Sequence, residues 1–261
     1  MTREPKYPVL TVMKAIEIIN CLSKNTSGRG VSLSELTRTL GLNKSTIHRI
    51  LDTLQFYDYI EQDEHSNRYR LGWEIYKIGQ VVPAQNQLYN IAPNLLIELN
   101  KKTQENVDLG ILKHHETVIL SQIEDNYNGS HVSINPGKYE SIYATSLGKM
   151  LISEMDAEEI RELLDNMDPL PTFTAHTISS INELLHEVKI ARQRGYAVDA
   201  EEYCDGLYCI AMPVRDYTGT IVAAVSVNMP TARFTEEKKQ LVLDSLAETT
   251  GKMSELLGYR A

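Results

Sequence analysis

The spacing of apolar residues divides the chain into two regimes. Over residues 9–22, Val12, Ala15, Ile16, Ile19 and Leu22 recur at intervals of three and four, the period of a helix with one buried face. The turn-forming run Asn25-Thr26-Ser27-Gly28-Arg29-Gly30 interrupts it. Ser32-Leu33-Ser34-Glu35 has the form of a capping box, which predicts a second helix ending at Leu40. Gly41 suits the positive φ of a sharp turn, and Asn43 suits the N-cap of a third helix over 44–56. Two short extended stretches, 60–62 and 68–71, flank the polar loop 63–67 and predict a hairpin. Residues 73–82 read as a helix ending near Pro83, and 88–102 as another with Ile91, Leu95, Leu96 and Leu99 on one face.

Beyond that point the pattern changes. Residues 107–112 and 117–120 read as strands on either side of His114-His115, and 130–134 as a third. Helices are expected over 147–154, 157–165, 181–194 and 236–257, and strands over 197–201, 207–214 and 221–227. Asp216-Tyr217-Thr218-Gly219 joins the last two strands as an antiparallel hairpin. The fold class is therefore α+β: a small helical domain with a hairpin over 9–72, a linker helix over 73–86, and an antiparallel sheet with packed helices over 87–259.

Charge sharpens this division. The net charge of −9 is unusual for a DNA-binding chain, but it is unevenly distributed. Residues 1–75 hold ten Lys/Arg and nine Asp/Glu, whereas residues 76–261 hold sixteen and 26. The acidity belongs to the second domain. Apolar residues make up 42% of the chain, an ordinary globular composition, with no run long enough for a membrane span. The opening residues lack the apolar core of a secretory signal, so a cytoplasmic protein is expected. Three cysteines, Cys21, Cys204 and Cys209, suit neither a disulfide framework nor a zinc site, and no metal or cofactor is expected.

Helix, glycine turn, helix and hairpin in that order form a winged helix-turn-helix, with the third helix as its reading element. Ile47, Ile50, Leu51 and Leu54 form the buried stripe of this helix, leaving Lys44, Ser45, His48 and Arg49 on the opposite face. Arg49 has the reach for guanine or phosphate, and Ser45, Thr46 and His48 for bases or phosphates. The free N–H groups at the start of a helix favour phosphate, which adds Ser32 and Asn43 to the DNA-binding set. Arg68 and Arg70 sit on the hairpin, placed for backbone or minor groove. The competing reading is a small helical domain with a solvated polar face.

The stretches Leu33-Ser34-Glu35-Leu36 and Gly41-Leu42-Asn43-Lys44-Ser45-Thr46-Ile47-His48-Arg49-Ile50-Leu51 resemble the IclR family of bacterial regulators. So do Ala144-Thr145-Ser146-Leu147-Gly148-Lys149, Arg194-Gly195-Tyr196-Ala197-Val198-Asp199-Ala200-Glu201-Glu202, Gly206-Leu207-Tyr208-Cys209-Ile210-Ala211-Met212-Pro213-Val214 and Ala223-Ala224-Val225-Ser226-Val227-Asn228. The resemblance implies a GAF-like effector domain and a homodimer or dimer of dimers. It also implies a ligand-responsive regulator, expected as a repressor of a metabolic operon, that binds a pseudo-palindromic double-stranded operator and associates with the nucleoid when bound.

The same resemblance places an effector pocket in the second domain. Ser146, Leu147 and Gly148 begin a helix whose first N–H groups suit a carboxylate. Asp199 ends one strand, while the pairs Leu207, Cys209 and Ser226, Asn228 each face one side of theirs, because side chains two apart share a face. Residues 129–132, including Val132, and Tyr143 are expected at the rim. Asn228 replaces a small hydroxyl residue, which narrows the pocket and adds a donor. The effector expected is a small organic acid or sugar-acid-like metabolite. Two other classes compete: an enzyme with Cys209 or Cys204 as nucleophile and His131 or His176 as base, and a winged helix that binds protein. No glycine-rich elbow or phosphate loop supports the enzyme.

Overall fold

The computed structural model describes residues 5–25, 29–84, 87–124, 131–133 and 139–260, and the chain divides into two units, residues 2–85 and 86–261. In the first, α1 (Leu10–Ser23), α2 (Leu33–Leu40) and α3 (Lys44–Phe56) precede β1 (Ile60–Gln62), β2 (Tyr69–Leu71) and α4 (Trp73–Ala84). The predicted capping box forms. Ser32 Oγ accepts from Glu35 N at 3.2 Å, and Glu35 Oε2 accepts from Ser32 N at 2.7 Å. Gly41 closes α2 at φ 64°, a conformation that would strain a residue with a Cβ. Ile18, Leu22, Leu36, Ile47, Ile50, Leu51, Ile60 and Tyr69 meet in one core. Val31 exchanges two 2.8 Å backbone hydrogen bonds with Tyr69, adding a rung beside the hairpin. Helix α4 continues through Pro83 and lies within the first unit.

The second unit begins with α5 (Gln87–Thr103) and continues through β3 (Asn106–Lys113), β4 (Glu116–Glu124), β5 (His131–Ser133) and β6 (Tyr139–Glu140). Then come α6 (Ser146–Leu151), α7 (Ala157–Leu163), α8 (Ile181–Arg194), β7 (Ala197–Ala200), β8 (Leu207–Arg215), β9 (Ile221–Pro230) and α9 (Glu236–Leu256). Among the described residues, the strands form one antiparallel sheet in the order β5-β4-β3-β9-β8-β7, with β6 also paired to β4. No described helix is long and apolar enough to cross a membrane.

Several boundaries differ from the sequence expectation. The third strand covers His131–Ser133, while Ser130 and Ile134 lie outside the described residues. Helix α6 stops at Leu151, before the expected Glu154, because the three-residue turns Ser153 N to Met150 O and Met155 N to Ile152 O tighten its end. Helix α7 stops at Leu163, since Asp165 and Asn166 take left-handed φ values of 51° and 54°. The two-residue β6 is too short to leave a periodic signal.

The sheet has two unlike faces. On one, Val107, Leu109, Ile123, Ile210, Val225 and Val227 pack with Leu96 and Leu99 of α5 and Val242, Leu246 and Met253 of α9. On the other, Ala197, Ala211 and Ala224 are small enough for Leu147, Met150 and Leu151 of α6 to pack close. A second close approach, to the segment before α6, explains Gly148. A Cβ there would lie 2.4 Å from Ile142 Cα and 2.5 Å from its carbonyl oxygen. Both are backbone atoms that cannot swing aside. Gly148→Ala is therefore expected to destabilise the second unit by about 1–3 kcal/mol, at the upper end of that range. A urea midpoint equal to that of the parent chain would refute the close packing of α6.

Candidate functional site

Helix α3 is fixed from below and open from above. Ile47, Ile50 and Leu51 are buried, while Lys44, Ser45, His48 and Arg49 are exposed and Thr46 is half-buried. Asn43 Oδ1 accepts from Thr46 N at 2.9 Å and from Ser45 Oγ at 3.0 Å, so Asn43 and Ser45 tie down the start of the helix. Among the described residues, no hydrogen bond or ion pair engages the side chains of Lys44, His48 or Arg49. The Lys44 and Arg49 cations thus stand free beside the positive end of the helix dipole, an arrangement suited to an anion.

The hairpin arginines are placed less uniformly. Arg68 is turned back into the fold: its Nη2 lies 2.6 Å from Glu35 Oε2, and its Nε donates to Gly30 O at 3.0 Å. Glu35 accepts the Ser32 backbone N–H and the Arg68 guanidinium, which hold its carboxyl at about 2. Ser32 is committed to the same cap. Arg70 pairs with Glu61 at 3.0 Å and keeps more than half of its side chain in solvent. Arg29, which the sequence reading passed over as part of a turn, joins Arg68 and Arg70 around a surface hollow of about 470 Å³. Its signal was a lone arginine between two glycines.

In the second unit, strand register assembles a polar floor on one face of the sheet. Asp199, Cys209, Asn228 and Asn106 are successive partners across β7, β8, β9 and β3, and Ala211, Ser226 and Asp108 form the next row on the same face. Asp199, Cys209, Ser226 and Asn228 therefore share one face of the sheet, at 1% exposure for Asp199 and Ser226. Asn228 Nδ2 donates to Asp108 Oδ2 at 2.6 Å. Asn106 and Asp108 were the missed members, although a lone carboxylate inside the apolar strand Val107-Asp108-Leu109 marks Asp108. Ser226 Oγ is buried with no hydrogen-bond partner among the described residues.

The other expected pocket residues lie off these two rows. Leu147 is an apolar contact beneath α6, and Thr145 Oγ1 takes the Gly148 N–H, so the first free N–H groups of α6 belong to Ser146 and Leu147. Leu207 is half-buried, opposite Pro230. Tyr143 spends its hydroxyl on Pro171 O at 2.7 Å. Val132 pairs through its backbone with Ile123, while its side chain and residues 129–130 lie outside the described residues.

Two charged groups that sequence reasoning left unassigned close the floor. Lys149 is 1% exposed, and its Nζ lies 2.5 Å from Glu202 Oε1. The Glu202 and Tyr203 N–H groups donate to Asp199 Oδ1 at 2.8 and 3.3 Å. Burial raises Asp199 from 3.8 to about 6, against the lowering effect of those hydrogen bonds and of Lys149. Burial also pushes the Cys209 thiol up, helped by the charges of Asp199 and Asp108. Such a thiol is a poor nucleophile. Cys204 and His176 are exposed, and the His131 side chain lies outside the described residues.

The raised Asp199 value has a thermodynamic consequence. Between pH 3.8 and about 6 the native state binds the proton more tightly than the unfolded chain, so rising pH removes stability through that window. The loss amounts to roughly 3 kcal/mol once both states are ionised. Asp199→Asn keeps an acceptor oxygen but does not titrate. Urea unfolding at pH 4 and pH 7 should show the difference in stability moving in favour of the variant at the higher pH. A pH-independent difference would mean that Asp199 does not carry this burial cost.

Comparison with known proteins matches both halves of the chain, in order. Residues 11–64 match the IclR helix-turn-helix domain, and residues 80–255 match the IclR C-terminal domain of bacterial transcriptional regulators. The HTH-type transcriptional regulator KdgR of Dickeya chrysanthemi is 32% identical over 251 residues, 96% of this chain and 81% of its own. The HTH-type transcriptional repressor AllR of Escherichia coli (strain K12) is 29% identical over 248 residues, 95% of this chain and 90% of its own. The crystal structure of Thermotoga maritima IclR superposes with a TM-score of 0.73 at 29% identity, covering 97% of this chain and all of that one. With an exposed reading helix in one unit and a buried polar floor in the other, the chain belongs to the IclR family of bacterial transcriptional regulators.

Proposed function

We propose that the protein is a repressor of a metabolic operon whose hold on DNA is set by a small organic acid or sugar-acid-like metabolite bound in the second unit. The observation that carries this reading is the exposed, unpaired set Lys44, His48 and Arg49 at the start of a capped helix. Lys44 meets phosphate, Arg49 reaches base edges in the major groove, and Arg70 and Arg29 follow the backbone. The repressor reading draws on the similarity to AllR.

The working form is a homodimer or dimer of dimers on a pseudo-palindrome with half-sites roughly 34 Å apart. Exposed apolar residues support it: Leu10, Val12, Met13 and Ile16 on α1, and Trp73, Tyr76 and Val81 on α4, the helix assigned here as the linker. Such patches mark interaction surfaces. The effector domain is GAF-like. The ligand carboxylate lies at the first N–H groups of α6, and its hydroxyls face Asp199, Ser226 and Asn228. Binding favours one arrangement of the paired DNA-reading units over another, and operator affinity follows. The buried, hard-to-ionise Cys209 supports regulation over catalysis. The protein works in the cytoplasm, on the nucleoid when operator-bound.

Fluorescence anisotropy against operator and scrambled duplexes tests the DNA-reading surface. Arg49→Ala is expected to cost about 1–3 kcal/mol and relax sequence preference, whereas Lys44→Ala should weaken all sequences alike and reduce the salt slope by about 1. Parental affinity in both variants would remove α3 from the interface. For the effector, a thermal-shift screen of organic and sugar acids should give a hit worth roughly 2.7 kcal/mol at 100 times its Kd. That hit should vanish in Ser226→Ala and persist in Arg49→Ala; persistence in both would place the ligand elsewhere.

A further inference from the structure

The second unit carries another recess, next to the polar floor and unlike it in chemistry. A cleft of about 500 Å³ opens where the β3–β4 turn, the segment before α6 and the segment after α7 meet. Its wall is a run of rings. Tyr143 and Phe173 have centroids 6.1 Å apart, and Phe173 and Tyr203 5.0 Å. Each ring is held from its own backbone or hydroxyl. Tyr143 Oη donates to Pro171 O, Phe173 N donates to Thr177 Oγ1 at 2.9 Å, and Tyr203 N donates to Asp199. The wall is therefore built in advance, yet Phe173 is 49% exposed, and Tyr139 across the cleft is 56% exposed.

The ionisable groups around these rings are His114, His115 and three carboxylates. Glu116, Glu140 and Asp165 line the cleft, and no Lys or Arg does so among the described residues. Neither Glu116 nor Asp165 takes part in an ion pair there. Aromatic faces are negative, and carboxylates at the rim deepen that potential, so an anion is repelled and a desolvated cation is attracted. The volume lies within the range of small-ligand pockets.

We propose that this cleft is a second ligand site, which takes a small organic ammonium ion by cation–π contact with Phe173 and Tyr203 and by charge attraction to Glu116 and Asp165. It stands apart from the acid site proposed above. Tyr203 links the two, because its ring lines the cleft while its N–H holds Asp199.

The test is isothermal titration of the full chain with choline and with phenyltrimethylammonium. 3,3-Dimethylbutan-1-ol, the uncharged carbon analogue of choline, serves as control. At least one ammonium probe should bind, and the analogue should be about five- to thirtyfold weaker than choline if choline is that probe. Phe173→Leu should weaken the binding probe about fivefold or more, as should Glu116→Gln combined with Asp165→Asn, with circular dichroism and Tm confirming a folded chain. Ser226→Ala should leave this binding unchanged, so failure of the organic-acid screen does not touch the result. Absence of binding by both probes overturns the proposal, as does equal affinity for choline and its analogue. If Phe173→Leu alters the sedimentation coefficient but not probe affinity, the cleft is a contact between copies and the proposal falls.

Discussion

A lysine removed from water requires a counter-charge, and the second unit is organised around that requirement. Lys149 is drawn under the sheet because α6 packs against alanines and because Gly148 allows the Ile142 backbone to approach. Glu202 supplies the opposite charge at 2.5 Å. Removing one partner of such a pair strands the other, typically at about 3–5 kcal/mol, so the pair constrains everything attached to it. The Glu202 carbonyl accepts from Thr177 Oγ1 at 2.6 Å, and its N–H donates to Asp199. One ion pair therefore positions α6, the turn after β7 and the carboxylate at the centre of the polar floor.

That positioning also sets the chemistry of the floor. Asp199 receives two backbone hydrogen bonds and the field of a nearby lysine, and burial still raises it to about 6. A carboxyl in that range exchanges its proton near neutral pH, acting as donor in one state and acceptor in the other. Asn228 is likewise engaged with Asp108. Among the described residues, Ser226 Oγ and Thr117 Oγ1 are buried without a hydrogen-bond partner. The floor is thus mostly pre-bonded within itself, which limits where a ligand can compete.

In the first unit a single carboxylate does comparable work. Glu35 completes the cap of α2 and holds Arg68, tying a helix start to the hairpin. The sequence reading assigned Arg68 and Arg70 the same role because both lie on the hairpin. Their different fates follow from their neighbours: Glu35, 33 positions away, for Arg68 and the cross-strand Glu61 for Arg70. Arg29 enters the same surface through the Val31–Tyr69 rung, which aligns residues far apart along the chain.

What could be read from the residues alone was local. The Ser32–Glu35 box, the left-handed Gly41 and the Asn43 cap depend on neighbours within about four positions, and each appears as read, whereas on α1 Val12 and Ile16 are exposed and Ile18 is buried instead. The exposed face of α3 follows from the same arithmetic. Asp199, Cys209, Ser226 and Asn228 were legible through the family resemblance, because strand alternation preserves their shared face once the register is known. The rest depended on separations of tens of residues. The Lys149–Glu202 pair spans 53 positions, and the Asn228–Asp108 bond spans 120. Burial of a charge, and the partner it demands, arises only when the sheet brings those segments together, since no local pattern encodes which distant carboxylate will be near.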